Sequence, residues 1–126
     1  MTVCILGNSL TALALAKALV NYEIYVDVIF NEKNYKINNT RTIGISKNNV
    51  DFFNSSIINI KELIWNIKTI EIFSENLKKE KLINFKAKKS QLFSIVKNSE
   101  LYKLLDKELS KSKFFRSKFS TKKNLF

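Results

Sequence analysis

Thr2-Val3-Cys4-Ile5-Leu6-Gly7-Asn8-Ser9-Leu10-Thr11-Ala12-Leu13-Ala14-Leu15-Ala16-Lys17-Ala18-Leu19-Val20, with Ile24-Tyr25-Val26-Asp27-Val28-Ile29-Phe30 close behind, is the stretch that decides the fold. Val3 to Leu6 is a short β-favouring run of the kind buried on both faces of a parallel sheet. Gly7 supplies backbone angles that a tight turn needs. Leu10 to Val20 sets alternating Ala and Leu on nearly every face, which predicts a central, close-packed helix. β-branched residues return at Ile24 to Phe30, predicting a second strand parallel to the first through a right-handed crossover. The pattern therefore predicts an α/β unit with strands near 2–6 and 24–30 and a helix near 10–21. Cys4, inside the first strand, is expected to act as a small buried hydrophobe.

Outward from this unit, residues 31–41 are polar and read as a surface loop. Thr42 to Ile45 is a short apolar piece, and Ser46 is an N-cap candidate for a helix carrying Val50, Phe53, Ile57 and Ile58. A second short helix is expected over Ile60 to Trp65. Thr69 to Phe73 and Lys81 to Phe85 read as a hairpin around the polar turn Ser74 to Glu80. The pattern of Ser90 to Val96 does not decide between element types. Ser99 to Leu109 places Leu101, Leu104, Leu105 and Leu109 at helical spacing, with Ser99 as candidate cap. The basic, aromatic stretch Lys111 to Phe126 has three readings: the core side of a further strand, a surface that stacks single-stranded nucleic acid, or a contact with an anionic membrane. No internal repeat is visible.

With 126 residues, 45% of them hydrophobic, the chain is one domain's worth of material or less and can bury a core. Lys and Arg number 22 against 11 acids, a net charge of +11, yet only Arg41 and Arg116 are arginines. Phosphate and base-edge recognition favours the guanidinium, so the charge argues weakly for nucleic acid. An A- and T-rich coding sequence produces the same Lys, Asn and Ile bias, and part of the charge then carries no function. The absence of His removes imidazole acid–base catalysis, Ser-His and Cys-His pairs and nearly every transition-metal site, excluding most hydrolases. One cysteine forms neither an internal disulfide nor a thiolate cluster, and no signal peptide is visible, so a reducing, cytoplasmic compartment is expected. The longest strongly apolar stretch, Leu10 to Val20, contains Lys17 and is well short of the ~20 residues that span a bilayer.

A dinucleotide fingerprint needs a first Gly for the turn, a second for backbone approach to the pyrophosphate and a third, or Ala, for helix–strand packing. Those offsets hold Gly7, Ser9 and Ala12, so one Gly is kept, Ala is tolerated, and Ser9 departs. The helix N-terminus still aims backbone N–H groups at an anion. By itself the spacing is also met by a βαβ unit without a ligand.

In order as well as motif, the chain resembles the flavin-dependent aromatic hydroxylases of ubiquinone biosynthesis, within the p-hydroxybenzoate hydroxylase-like group. After the opening segment, Thr40-Arg41-Thr42-Ile43-Gly44-Ile45-Ser46 is similar to the family's Arg-x-x-Ala-Leu-Ser. Phe53 to Trp65 looks like its paired short helices, and Ile67 to Phe73 resembles its Pro-Ile-x-x-Ile-x-Val strand without the Pro. Ile95 to Leu105 looks like its Val-x-Asn-x-x-Leu-x-x-x-Leu helix start. The resemblance implies a Rossmann-like FAD-binding unit, followed by a helical pair and a β-hairpin, over about residues 2–110. Residues 111–126 then form a basic aromatic C-terminal segment.

It further implies that FAD is the cofactor, that NAD(P)H is the electron donor, and that reduced flavin and oxygen hydroxylate a phenolic ring on a lipid-tailed substrate. A peripheral contact with the inner membrane or with a ubiquinone-biosynthesis complex is implied too. Carried over by position, Gly7, Asn8, Ser9 and Ala12 surround the pyrophosphate, Arg41 lies near the flavin or its phosphates, and Asn98 sits at a helix start close to the cofactor. No catalytic or metal-binding residue is implied within the chain. The alternatives are a solvated arginine at Arg41 and a helix cap at Asn98. The family's acid for the adenosine ribose falls on Phe30, with Glu32 the nearest carboxylate. The family's later Asp-Gly and Gly-Asp segments are not in the chain, so it is expected to be an N-terminal portion, inactive alone and weak in holding FAD. A non-enzymatic basic α/β module contacting nucleic acid or an anionic membrane is the competing expectation.

Overall fold

The computed structural model describes residues 1–31, 40–73 and 93–120 in full and residues 81–86 by their backbone. β1 (Thr2–Leu6), α1 (Leu10–Val20) and β2 (Tyr25–Phe30) form the expected unit, with β1 and β2 adjacent and parallel in the register Val3 to Val26. β3 (Thr42–Ser46) leads into α2 (Lys47–Phe52), and the chain runs on through β4 (Ile64–Ile67), β5 (Thr69–Phe73), β6 (Lys81–Lys86), β7 (Phe93–Lys97), α3 (Asn98–Ser110) and β8 (Phe115–Phe119). The first sheet is parallel, in the order β1-β2-β8, and the second is antiparallel, in the order β3-β7-β4. β5 and β6 make the expected antiparallel hairpin, with an irregularity at Ile72 and Phe73.

Local chemistry sets the helix limits. The Ser9 hydroxyl accepts from the Ala12 N–H at 3.3 Å and starts α1. At the other end the Glu23 N–H donates to the Val20 carbonyl at 2.9 Å and the Ile24 N–H to that of Leu19 at 3.3 Å. These are the paired bonds of a Schellman stop, with Glu23 at φ 59° where glycine is usual. The Asn21 side-chain amide donates to the carbonyls of Ser56 and Ile57 at 3.0 and 2.9 Å, tying this end of α1 to the segment after α2.

Ser46 caps α2 as expected, accepting from the Asn49 N–H at 3.2 Å, and α2 continues into a π-helical turn over Phe53–Ile57. The expected helix over Ile60 to Trp65 is absent. A turn closed by the Leu63 N–H on the Ile60 carbonyl gives way to β4, because a ladder with β7 pairs Ile64 with Val96 and Trp65 with Ile95. Residues 93–97, in the stretch that patterning left undecided, are the central strand of that sheet. α3 begins one residue earlier than expected: Lys97 is its N-cap residue without a side-chain bond, so neither Ser99 nor Asn98 is the cap.

One apolar core joins both sheets and the helices. Leu13, Ala16 and Val20 of α1 meet Val26 and Val28 of β2 and Leu101, Leu105 and Leu109 of α3, and Ile45, Val50, Ile60 and Val96 close it from the second sheet. α1 packs directly on α3, and Ala16, fully buried, permits the close approach. Two expectations fail at the edge of this core. α1 is not covered all round: Leu15 is 50% exposed and, with Ala14, Ala18, Phe52 and Phe53, borders an apolar groove of about 580 Å³. Cys4 is exposed rather than buried, since alternate residues of β1 face away from the helices.

That outer sheet face is partly charged. Asp27 accepts from Arg116 Nε and Nη2 at 3.0 and 3.2 Å, with Lys118 Nζ at 3.9 Å. Phe114 packs its ring on Tyr25 at 4.9 Å, and Phe119 meets Phe30 at 5.8 Å. Residues 115–119 form the further strand, with Phe115 packed against the core as the first reading of the basic aromatic stretch expects and Phe119 exposed rather than in the core. Residues 121–126 lie outside the described residues, as does the expected turn over Ser74 to Glu80.

Candidate dinucleotide-binding site

In a parallel α/β sheet, ligands bind beyond the carboxyl ends of the strands. Here that end of β1 carries Gly7, at φ 107°. A side chain in that conformation is strained, and the space its Cβ would enter holds nothing within 4 Å. The turn is thus both sharp and open above. The Gly7 N–H donates to the Ile29 carbonyl at 2.7 Å, fastening the turn to β2.

The first N–H groups of a helix have no intrahelical acceptor. In α1 the Ala12 N–H is taken by the Ser9 hydroxyl, and those of Leu10 and Thr11 are aimed past the end of the helix. No acidic residue stands in the first turn of α1 to compete for the positive end of its dipole. Ser9 is exposed and extended (φ −68°, ψ 169°), and its side chain folds back onto the helix. Ala12 is buried, as its place in the fingerprint requires. Turn, open space and unopposed donors fit a pyrophosphate.

Two further expected residues are brought together by a route the sequence does not disclose. The Asn98 N–H donates to the Arg41 carbonyl at 3.0 Å, joining the start of α3 to the start of β3. One helical turn further along the same face of α3, the Tyr102 hydroxyl donates to the Asn8 carbonyl at 2.9 Å. Arg41 is exposed and Asn98 half-buried. Tyr102 is a residue that sequence reasoning missed, because a bond spanning 94 residues leaves no local pattern. Glu32 lies outside the described residues. Phe30 occupies the last position of β2 and offers no oxygen to a ribose, so the adenosine end departs from the fingerprint.

No protein-family model and no curated protein matches the chain. Solved structures do. The chain is similar to the p-nitrophenol 4-monooxygenase PnpA from Pseudomonas putida DLL-E4, with a TM-score of 0.73 and 11% identity over 94% of this chain and 32% of that one. It is similar to PqsL, a probable FAD-dependent monooxygenase from Pseudomonas aeruginosa, with a TM-score of 0.75 and 13% identity over 94% of this chain and 32% of that one. Klebsiella pneumoniae HpxO, solved with FAD and uric acid, gives a TM-score of 0.72 and 18% identity over 93% of this chain and 30% of that one. The chain spans about a third of the length of each of these structures. At such identities the likeness is one of fold alone, shared with about a third of each of these structures.

Proposed function

We propose that the chain is the FAD-binding portion of a flavin monooxygenase acting on a phenolic ring, of the kind found in ubiquinone precursors. The observation that supports this most is the open turn at Gly7, set against the unopposed N-terminus of α1 at the carboxyl end of a parallel sheet. The order of sequence segments, through Arg41 and on to the start of α3, supports the finer assignment.

In this reading the N–H groups of Leu10 and Thr11 hold the pyrophosphate, and Gly7 lets the backbone come close. Ala12 keeps α1 tight against the sheet, and Tyr102 fixes the Asn8 carbonyl so that the turn holds its shape. Arg41 and Asn98 face the flavin side. Bound FAD supplies the chemistry that passes electrons from NAD(P)H to oxygen and inserts an oxygen atom into the ring. The residues of this chain bind and orient it. Substrate recognition, including a lipid tail and any peripheral contact with a membrane or a biosynthetic complex, belongs to the wider protein. Among the described residues no helix is long and apolar enough to cross a membrane.

Titration of the chain with FAD, read by flavin fluorescence, tests the proposal. Saturable but weak binding, displaced by ADP and lost in Gly7→Val with the fold intact by circular dichroism, is the expected result. Absence of saturable binding at millimolar FAD, or an unchanged affinity in Gly7→Val, overturns it.

A further inference from the structure

The first sheet has two edges, β1 and β8, and among the described residues each has a strand on one side only. The two edges differ in chemistry. β8 carries Arg116 and Lys118, charges of the kind that discourage a strand from pairing with a copy of itself. β1 is Thr2-Val3-Cys4-Ile5-Leu6, with no charge, no proline and no break in its register with β2. Thr2, Cys4 and Leu6 are exposed. The ladder fixes which backbone groups are left over. The Gly7 N–H donates to the Ile29 carbonyl, and along a parallel pair the residues that bond a given neighbour alternate. Ile5 and Val3 therefore bond β2, and the N–H and C=O groups of Thr2, Cys4 and Leu6 point out of the open edge.

Antiparallel pairing of β1 with itself about Cys4 sets Thr2 opposite Leu6, Val3 opposite Ile5 and Cys4 opposite its own copy. Every outward N–H then meets an outward carbonyl, and the core-facing side stays apolar across the seam. No like charges meet there, whereas the same operation at β8 sets Arg116 against Lys118 of the other copy. We infer that β1 is a self-pairing edge, through which two copies of this chain form an isologous dimer, β8-β2-β1 of one copy continued by β1-β2-β8 of the other. The net charge of +11 opposes association at long range, and none of the Lys or Arg side chains that carry it is on β1. Salt screens that repulsion without weakening the seam, so the dimer tightens as salt is raised, the reverse of an ionic contact. A seam of one short strand is smaller than a standard interface, which sets a weak dissociation constant, on the order of 100 µM.

Sedimentation equilibrium and amide hydrogen exchange of the chain, with reductant present and from about 10 µM to about 1 mM, a range that brackets this constant, test the inference. The mass is expected to move from one chain towards two, and the amides of Cys4 and Leu6 to gain protection in step with it. Cys4→Lys sets like charges opposite each other at an exposed position and is expected to weaken the dimer about tenfold or more, with the melting curve of the dilute chain unchanged. Cys4→Ser is expected to keep it within about twofold. Should Cys4→Lys fail to fold, the concentration dependence of the unaltered chain decides alone. A chain that remains a monomer throughout the range overturns the inference. Protection of Cys4 and Leu6 that does not vary with concentration would place a segment of the same chain on the edge and overturns it too. A dimer that survives folded Cys4→Lys with unchanged affinity is held by another surface, which also overturns it.

Discussion

Replacing Ser9 with glycine separates a capping serine from a phosphate-binding one. In the native turn the Ser9 hydroxyl occupies the Ala12 N–H through a long bond of 3.3 Å. Glycine is itself a tolerated N-cap, so the loss of stability is only a few tenths of a kcal/mol. In exchange the Ala12 N–H becomes a third free donor beside those of Leu10 and Thr11, and a Cβ leaves the path of the pyrophosphate. A hydrogen bond to a charged acceptor contributes roughly 1.5–3 kcal/mol at full strength. About a third to a half of that is expected here, because the phosphate already holds other donors, which amounts to roughly fivefold tighter FAD binding. Fluorescence titration of Ser9→Gly beside the native chain, with a melting curve of each, measures both quantities. Weaker binding in Ser9→Gly would show that the hydroxyl itself contacts phosphate and would refute the capping argument. Unchanged FAD binding would show that the Ala12 N–H does not contact phosphate and would refute the expected gain.

Glu23 sits in the left-handed region at φ 59°, which costs an L-residue about 1–2 kcal/mol. Allowing for the greater chain entropy of glycine, Glu23→Gly is expected to stabilise by roughly 0.5–1 kcal/mol and to raise the melting temperature by about 2–4 °C. Tyr102→Phe removes the hydroxyl that holds the Asn8 carbonyl, and should cost about 1 kcal/mol while weakening FAD binding more than a melting curve alone would suggest. Leu105, fully buried where α3 meets the core, should cost about 2–5 kcal/mol when cut to Ala, measured by urea denaturation.

The βαβ unit was legible in the sequence because its evidence is local: an apolar run, a glycine, a capped apolar helix and a second β-branched run within thirty residues. What failed depends on partners far along the chain. Ile64 to Ile67 carries no pattern that distinguishes a strand from a short helix, and it becomes β4 because β7 lies beside it. Cys4 and Leu15 read as buried because burial on both sides is the usual state of such runs. In this chain one face of β1 and one face of α1 are left open. The site divides in the same way. Gly7, Ser9 and Ala12 follow from spacing, although Ser9 proves to be a cap as well as a departure. The joining of Arg41 to Asn98 and of Asn8 to Tyr102 depends on where α3 docks, and the Phe30–Phe119 pair depends on β8 choosing β2 as its neighbour.

The most direct measurement of the central claim is a map of backbone amide shifts in the isotopically labelled chain as FAD is added. Shifts should concentrate at Gly7, Asn8, Ser9, Leu10 and Thr11, with a second group at Asn98, and should be reproduced in the first group by ADP. Shifts confined to the groove beside Leu15 and Phe52, or none in the turn at saturating FAD, would contradict the assignment of this turn as the dinucleotide site.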